Sequence, residues 1–160
     1  MATPKDVTTV SFERTVHCDA GTAFQQFREH AWLRTLGPQG WTKIIEPGDA
    51  ATHVGETRAV PGGLHERIVA YNEPEYFEYS VVAGPFPVDY HLGRVTFTEF
   101  AAPSGEKCTR VDWTIKFKPK MGMYLAVVGV IKASIPIFIG NFESNCNVFI
   151  AERKKAQASG

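Results

Sequence analysis

The feature that most constrains this chain is the order of its elements. One alternating strand and a short helical run are followed by a long succession of β-rich runs and then by a single apolar helical segment from about Met121 to Lys155. Within that segment Val127, Ile131, Ile135, Phe138, Phe142, Cys146 and Phe149 recur at spacings of 4, 4, 3, 4, 4 and 3, an apolar stripe with the helical period. A sheet with one apolar face must bury that face, and the C-terminal helix is the only long element left to cover it. The order therefore predicts an α+β helix-grip fold: a curved antiparallel sheet wrapped around one long C-terminal helix, with room for a cavity between them.

The β-rich part reads strand by strand. Val7 to Val16 alternates, with Val10, Phe12 and Val16 on one side and Arg14 interrupting it. Asp19 stands at an N-cap position before Ala23, Phe24, Phe27 and Ala31, and Gly37-Pro38 ends what the pattern makes one or two short helices. Gly and Pro then punctuate the runs Trp41 to Ile45, Gly55 to Val60, Leu64 to Tyr71, Tyr76 to Ala83, Val88 to Phe100 and Cys108 to Lys118. With the first strand that makes seven, joined mostly by hairpin-length turns. In the last run Val111, Trp113, Ile115 and Phe117 alternate with Asp112, Thr114, Lys116 and Lys118, so one face is core and the other meets water.

Two irregularities are expected. Pro136 lacks an N–H and its ring crowds the preceding turn, which predicts a kink or break between Gly129 and Pro136. In the run from Val88, Tyr90, Leu92 and Arg94 share one face whereas Val95 and Phe97 lie on the other, which predicts a bulge at Gly93.

A chain of 160 residues with 44% hydrophobic content suits a single domain, here residues 1–160 with an ordered core of about 7–155. Lys plus Arg and Asp plus Glu number 17 each, so no net field gathers nucleic acid. Cys18, Cys108 and Cys146 have no metal-ligand spacing, and the histidines are scattered, so no metal is expected. The absence of phosphate-binding glycine motifs predicts no nucleotide cofactor. An odd number of cysteines, three, and an N-terminus without a basic-then-apolar pattern predict a reduced, cytoplasmic protein. Residues 123–139 fall short of the ~20 apolar residues a membrane span needs and carry Lys132, which predicts no transmembrane span. The apolarity of 124–139 nonetheless exceeds what sheet packing requires, leaving a lining for a cavity mouth or a contact with a protein or membrane surface.

Strand parity points Leu64, Glu66 and Ile68 inward, together with Phe77, Tyr79 and Val81; by the parity of Glu56 and Val60, Arg58 points the same way. A buried carboxylate needs a cation, donors or a proton, and Arg58 is the nearest candidate partner for Glu66. The pair reads either as a polar anchor or acid/base for a ligand, or as a structural ion pair at the sheet rim. Tyr79, Tyr90 and Trp113 suit a cavity for a flat molecule and suit ordinary core packing equally. Lys132 interrupts the most apolar part of the chain and reads either as a desolvated lysine available for a Schiff base or a carboxylate or, as its place off the apolar stripe favours, as a lysine reaching water along the outer helix face.

The order of elements, with the phrases Gly55-Glu56-Thr57-Arg58, Leu64-His65-Glu66-Arg67-Ile68, Tyr76-Phe77-Glu78-Tyr79, Gly84-Pro85-Phe86-Pro87-Val88-Asp89-Tyr90 and Thr109-Arg110-Val111-Asp112-Trp113, resembles the START/SRPBCC superfamily, which includes birch-allergen-like proteins and the polyketide cyclase/dehydratase group. The resemblance covers about Thr9 to Ala151. It implies a seven-stranded helix grip with two short helices, and a small hydrophobic ligand, lipid or polyketide-like, in the cavity. In the hormone-receptor branch the residues matching Glu66 and Tyr90 face the ligand, but the lysine that anchors an acidic hormone has no match here.

These readings together predict a ligand-binding protein whose cavity is lined by Tyr79, Val81, Tyr90, Trp113, Ile135, Phe138 and Phe142, with Arg58, Glu66 and Arg94 as polar groups. The first alternative is a cyclase/dehydratase-like enzyme that moves protons with Glu66 or Tyr90. The second is a protein that docks on a partner or membrane through 124–139. The low density of inward polar groups favours binding over catalysis.

Overall fold

The computed structural model describes residues 6–30, 43–60 and 62–158. Seven strands form one antiparallel sheet in the order β1-β7-β6-β5-β4-β3-β2. They are β1 (Thr8–Val16), β2 (Lys43–Glu46), β3 (Thr57–Val60), β4 (Leu64–Asn72), β5 (Tyr76–Ala83), β6 (Val88–Ala101) and β7 (Lys107–Pro119). Strands β2 to β7 follow one another as a meander, and β1 returns to the far edge beside β7. The first strand is followed by α1 (Ala20–Gln25) and a π-helical turn, Gln26–His30, and the last by α2 (Tyr124–Ala158). This is the helix-grip architecture.

Local chemistry sets the ends of α1. The Asp19 side chain accepts from the Thr22 N–H at 2.8 Å, which satisfies one of the amides a helix start leaves bare. The Ala20 N–H donates to Glu99 at 3.0 Å and so ties the helix to β6. Arg14, the interruption in the first strand's apolar face, pairs with Glu143 of α2. The expected strand from Trp41 is seen from Lys43; Trp41 and Thr42 lie outside the described residues, as do Ala31 and the Gly37-Pro38 stop.

Val127, Ile131, Ile135, Phe138, Phe142 and Cys146 are buried, as the periodic stripe requires, while Phe149 is only half-buried and Lys132 is exposed. The expected break before Pro136 is absent: α2 runs as one 35-residue helix with Pro136 inside it. Pro136 sits on the exposed side, where water can satisfy the carbonyl that its missing N–H leaves free. The Ser134 hydroxyl donates to the Val130 carbonyl one turn back at 2.8 Å.

The expected bulge at Gly93 is also absent. The β6–β7 register runs unbroken from Tyr90 to Ala101 and shifts only between Val88 and Tyr90. Gly93, Val95 and Phe97 all face inward and are buried. Gly93 has a different cause: a Cβ there would overlap the ring of Tyr79, its partner across β5 and β6. The register does shift in β4, between Ile68 and Ala70, and this turns Tyr71 inward beside Phe24.

Candidate functional site

The inner face of the grip has two characters. At one end it is filled by rings. Phe27 lies 5.2 Å from both Trp113 and Phe142, centroid to centroid, and Trp113 lies 5.5 Å from Phe138. Phe24 packs against Phe77 at 5.6 Å and Phe97 at 5.1 Å. Trp113, Phe138, Phe142 and Ile135, named from the sequence as cavity lining, are thus buried residues of the core cluster, three of them in ring-to-ring contact.

The other end is polar. Arg58 and Glu66 are direct partners across β3 and β4, both with side chains turned inward, and Arg58 Nη2 lies 3.5 Å from Glu66 Oε2. Their side chains are only 6% and 7% exposed, values low enough to remove water as the main screening medium. Arg58 is held from a second side as well, since its Nη1 donates to the Arg28 backbone carbonyl at 2.7 Å. Its Nε is buried with no hydrogen-bond partner among the described residues. Burial pushes the Glu66 carboxyl above its ordinary range, and Arg58 pulls it back only in part.

Tyr79, two strands from Arg58, is 5% exposed and accepts from the Trp113 Nε1–H at 3.0 Å. Burial, with the Glu66 carboxylate behind it, raises its phenol well above the usual value. Val81 stands opposite Glu66 in the β4–β5 register and is half-buried.

The β5–β6 pairing ends at Tyr79 and Gly93. Beyond it the Val81 N–H donates not to backbone but to His91 Nδ1 at 3.2 Å, and the Ser80 hydroxyl donates to the His91 carbonyl at 2.7 Å. That bond fixes the imidazole: with Nδ1 accepting, the neutral ring carries its proton on Nε2. Burial lowers the His91 pKa to about 4, so the ring is neutral over most of the pH range. His91 escaped the sequence reading, although it shares the inward parity of Val95 and Phe97.

Tyr90 and Arg94 do not join this site. They alternate with buried His91 and Gly93 and so face the outer side of the sheet. Arg94 donates to Glu78 at 2.7 Å and stacks over Tyr76 at 4.0 Å. Tyr90 lines an outer groove of about 400 Å³ with Glu78, Ser80 and Leu92, where β5 and β6 part, and Val81 and His91 border that groove as well. The core residues Val95 and Phe97 set the inward parity, and with no slip at Gly93 the even-numbered side chains must point out.

A second buried pair adjoins the first. Arg28, in the π-helical turn, donates to Glu56 at 3.0 and 3.2 Å, lies 3.0 Å from His53 Nδ1, and covers the Tyr71 ring. The turn places the Arg28 carbonyl on Arg58 and its guanidinium on Glu56, so two cations and two carboxylates share one corner of the grip. The only hint of Arg28 in the sequence was a charge within the short helical run, which reads as surface. Among the described residues no cluster of three or more His, Cys, Asp or Glu is placed to hold a metal.

The sequence matches no known family model and no curated protein. Solved structures do match. A protein of Nitrosospira multiformis from a structural genomics programme is 17% identical, with a TM-score of 0.67 over 86% of this chain and 94% of that one. Ara h 8.0201 is 18% identical, with a TM-score of 0.62 over 89% and 99%. XoxI from Bacillus cereus is 19% identical, with a TM-score of 0.56 over 86% and 93%. At these identities the likeness is one of fold, and the fold is the helix grip that this chain shares with Ara h 8.0201.

Proposed function

We propose that this protein binds a small hydrophobic or amphipathic molecule inside the grip, with the polar part of the ligand against Arg58 and Glu66 and the apolar part toward the aromatic cluster. The observation that carries this reading is the buried Arg58 Nε, a charge-bearing donor without an acceptor among the described residues, in the polar corner at the opposite end of the grip from the aromatic cluster. An unsatisfied buried donor costs about 1–3 kcal/mol, and hydrophobic residues would stabilise the same corner as well or better. A ligand oxygen would remove that cost.

The charges favour a neutral head group. Arg28, Glu56, Arg58 and Glu66 balance within the corner, so a ligand carboxylate would add an uncompensated charge beside Glu66 unless Glu66 took up a proton. A hydroxyl or carbonyl can accept from Arg58 Nε without that penalty. The Nε2–H of His91 supplies a second donor on the inward face.

A catalytic reading rests on one feature, the raised Glu66 carboxyl, which can hold a proton nearer neutral pH than an exposed glutamate and deliver it to a bound carbonyl or hydroxyl. Tyr90 has no part in that reading, since it faces the outer groove. A cyclase/dehydratase-like activity would therefore depend on Glu66.

Gentle purification, a native mass spectrum and solvent extraction test the binding reading. A co-purified neutral amphiphile, lost on Arg58→Leu with the fold intact, supports it. Retention of the same molecule by Arg58→Leu at unchanged occupancy would overturn the assignment of the polar anchor.

A further inference from the structure

We propose that the turn before α2 and the outer face of its first half form a docking surface for an anionic lipid bilayer. The face is apolar and uncovered: Met121 is 100% exposed, Leu125 82%, Val130 55% and Ile137 50%, with Met123 and Tyr124 beside them. By length and composition alone the whole helix meets the requirement for a membrane span, which residues 123–139 by themselves do not, but a third of its most apolar stretch is buried within the fold. Its buried side, with Val127, Ile131, Ile135, Phe138 and Phe142, belongs to the hydrophobic core. The outer side is left to lie in an interface rather than span it.

Charge selects the lipid. Between Asp112 and Glu143 the sequence contains Lys116, Lys118, Lys120 and Lys132 and no acidic residue, although the whole chain has equal numbers of acids and bases. Lys120 and Lys132 are exposed, flank the apolar face, and take part in no described ion pair. The first turn of α2 carries no acidic residue, so the positive end of its dipole adds to theirs. Beyond Glu143 the exposed side turns polar, with Ser144, Asn147, Glu152 and Arg153, and this bounds the contact. Two copies of a surface with this charge repel, which favours a lipid surface over self-association. The Lys120 N–H donates to the Pro87 carbonyl at 2.9 Å, so the docking end is continuous with the loops at the polar end of the grip.

Co-sedimentation of the full chain with vesicles of phosphatidylcholine alone, and of phosphatidylcholine mixed with phosphatidylglycerol, tests this. The expected result is binding to the mixed vesicles that weakens as salt rises. Each lysine near an anionic surface contributes roughly a fivefold factor, so the double variant Lys120→Gln/Lys132→Gln should bind about 25-fold more weakly. Leu125→Gln should also weaken binding; circular dichroism and urea unfolding confirm that each variant folds. Equal binding to the two vesicle types, no binding to either, or a dimer abolished by Leu125→Gln in a protein that ignores vesicles would each overturn the proposal.

Discussion

Arg58 and Glu66 face each other across adjacent strands at 3.5 Å, buried and imperfectly joined, because the Arg58 fork is shared with a backbone carbonyl of the turn after α1. The pair is therefore costly to break from one side and cheap to replace as a whole. Glu66→Leu should destabilise the protein by about 3–5 kcal/mol by leaving a lone buried guanidinium. Arg58→Met/Glu66→Leu should recover most of that loss. Urea unfolding of the three variants and the parent measures the coupling, and additive costs would contradict it.

Gly93→Ala should cost about 1–3 kcal/mol, since the new methyl overlaps the Tyr79 ring in a packed interior. In a Tyr79→Val background the same change should cost far less. Thermal unfolding of the cycle reads the difference, and an equal cost in both backgrounds would place the strain elsewhere.

Stability should fall as acid is added through the range set by His91. Its folded pKa, about 4, lies below the ordinary 6.5, so the unfolded chain binds the proton first. The contribution is whole above pH 6.5 and is lost progressively down to about pH 4, amounting to roughly 3 kcal/mol. His91→Gln, which keeps an acceptor for the Val81 N–H, should flatten this slope. Glu66 acts with the opposite sign: its raised carboxyl favours the folded state at low pH and loses that contribution as pH rises through the raised value. Unfolding midpoints of parent, His91→Gln and Glu66→Gln across pH 4 to 7 separate the two.

Much of the fold was legible because the signals are periodic. The spacing of Val127 to Cys146, the alternation from Val111 to Phe117 and the Gly/Pro punctuation each have one cheap solution. The inward placement of Arg58 and Glu66 followed from parity for the same reason. Where a residue's role depends on a partner distant in sequence, the reading failed. Gly93 in isolation signals a bulge; only the Tyr79 ring from the neighbouring strand explains it, and with the bulge went the inward placement of Tyr90 and Arg94. Arg28 and His91 join the polar corner through a helical turn and the parting of two strands, neither of which leaves a pattern in the sequence. Pro136 predicted a break that tertiary packing of the stripe on either side overrides.

The most direct test of the central claim is an amide NMR titration with 1-decanol, a neutral amphiphile of the kind the balanced charges favour. Binding in the grip predicts shifts at Glu66, Ile68 and Tyr79, which lie outside the outer groove, and their loss in Arg58→Leu. Shifts confined to Val69, Val81, Tyr90, His91 and Leu92 of the outer groove, or to Leu125, Val130 and Ile137 of the outer helix face, would contradict it.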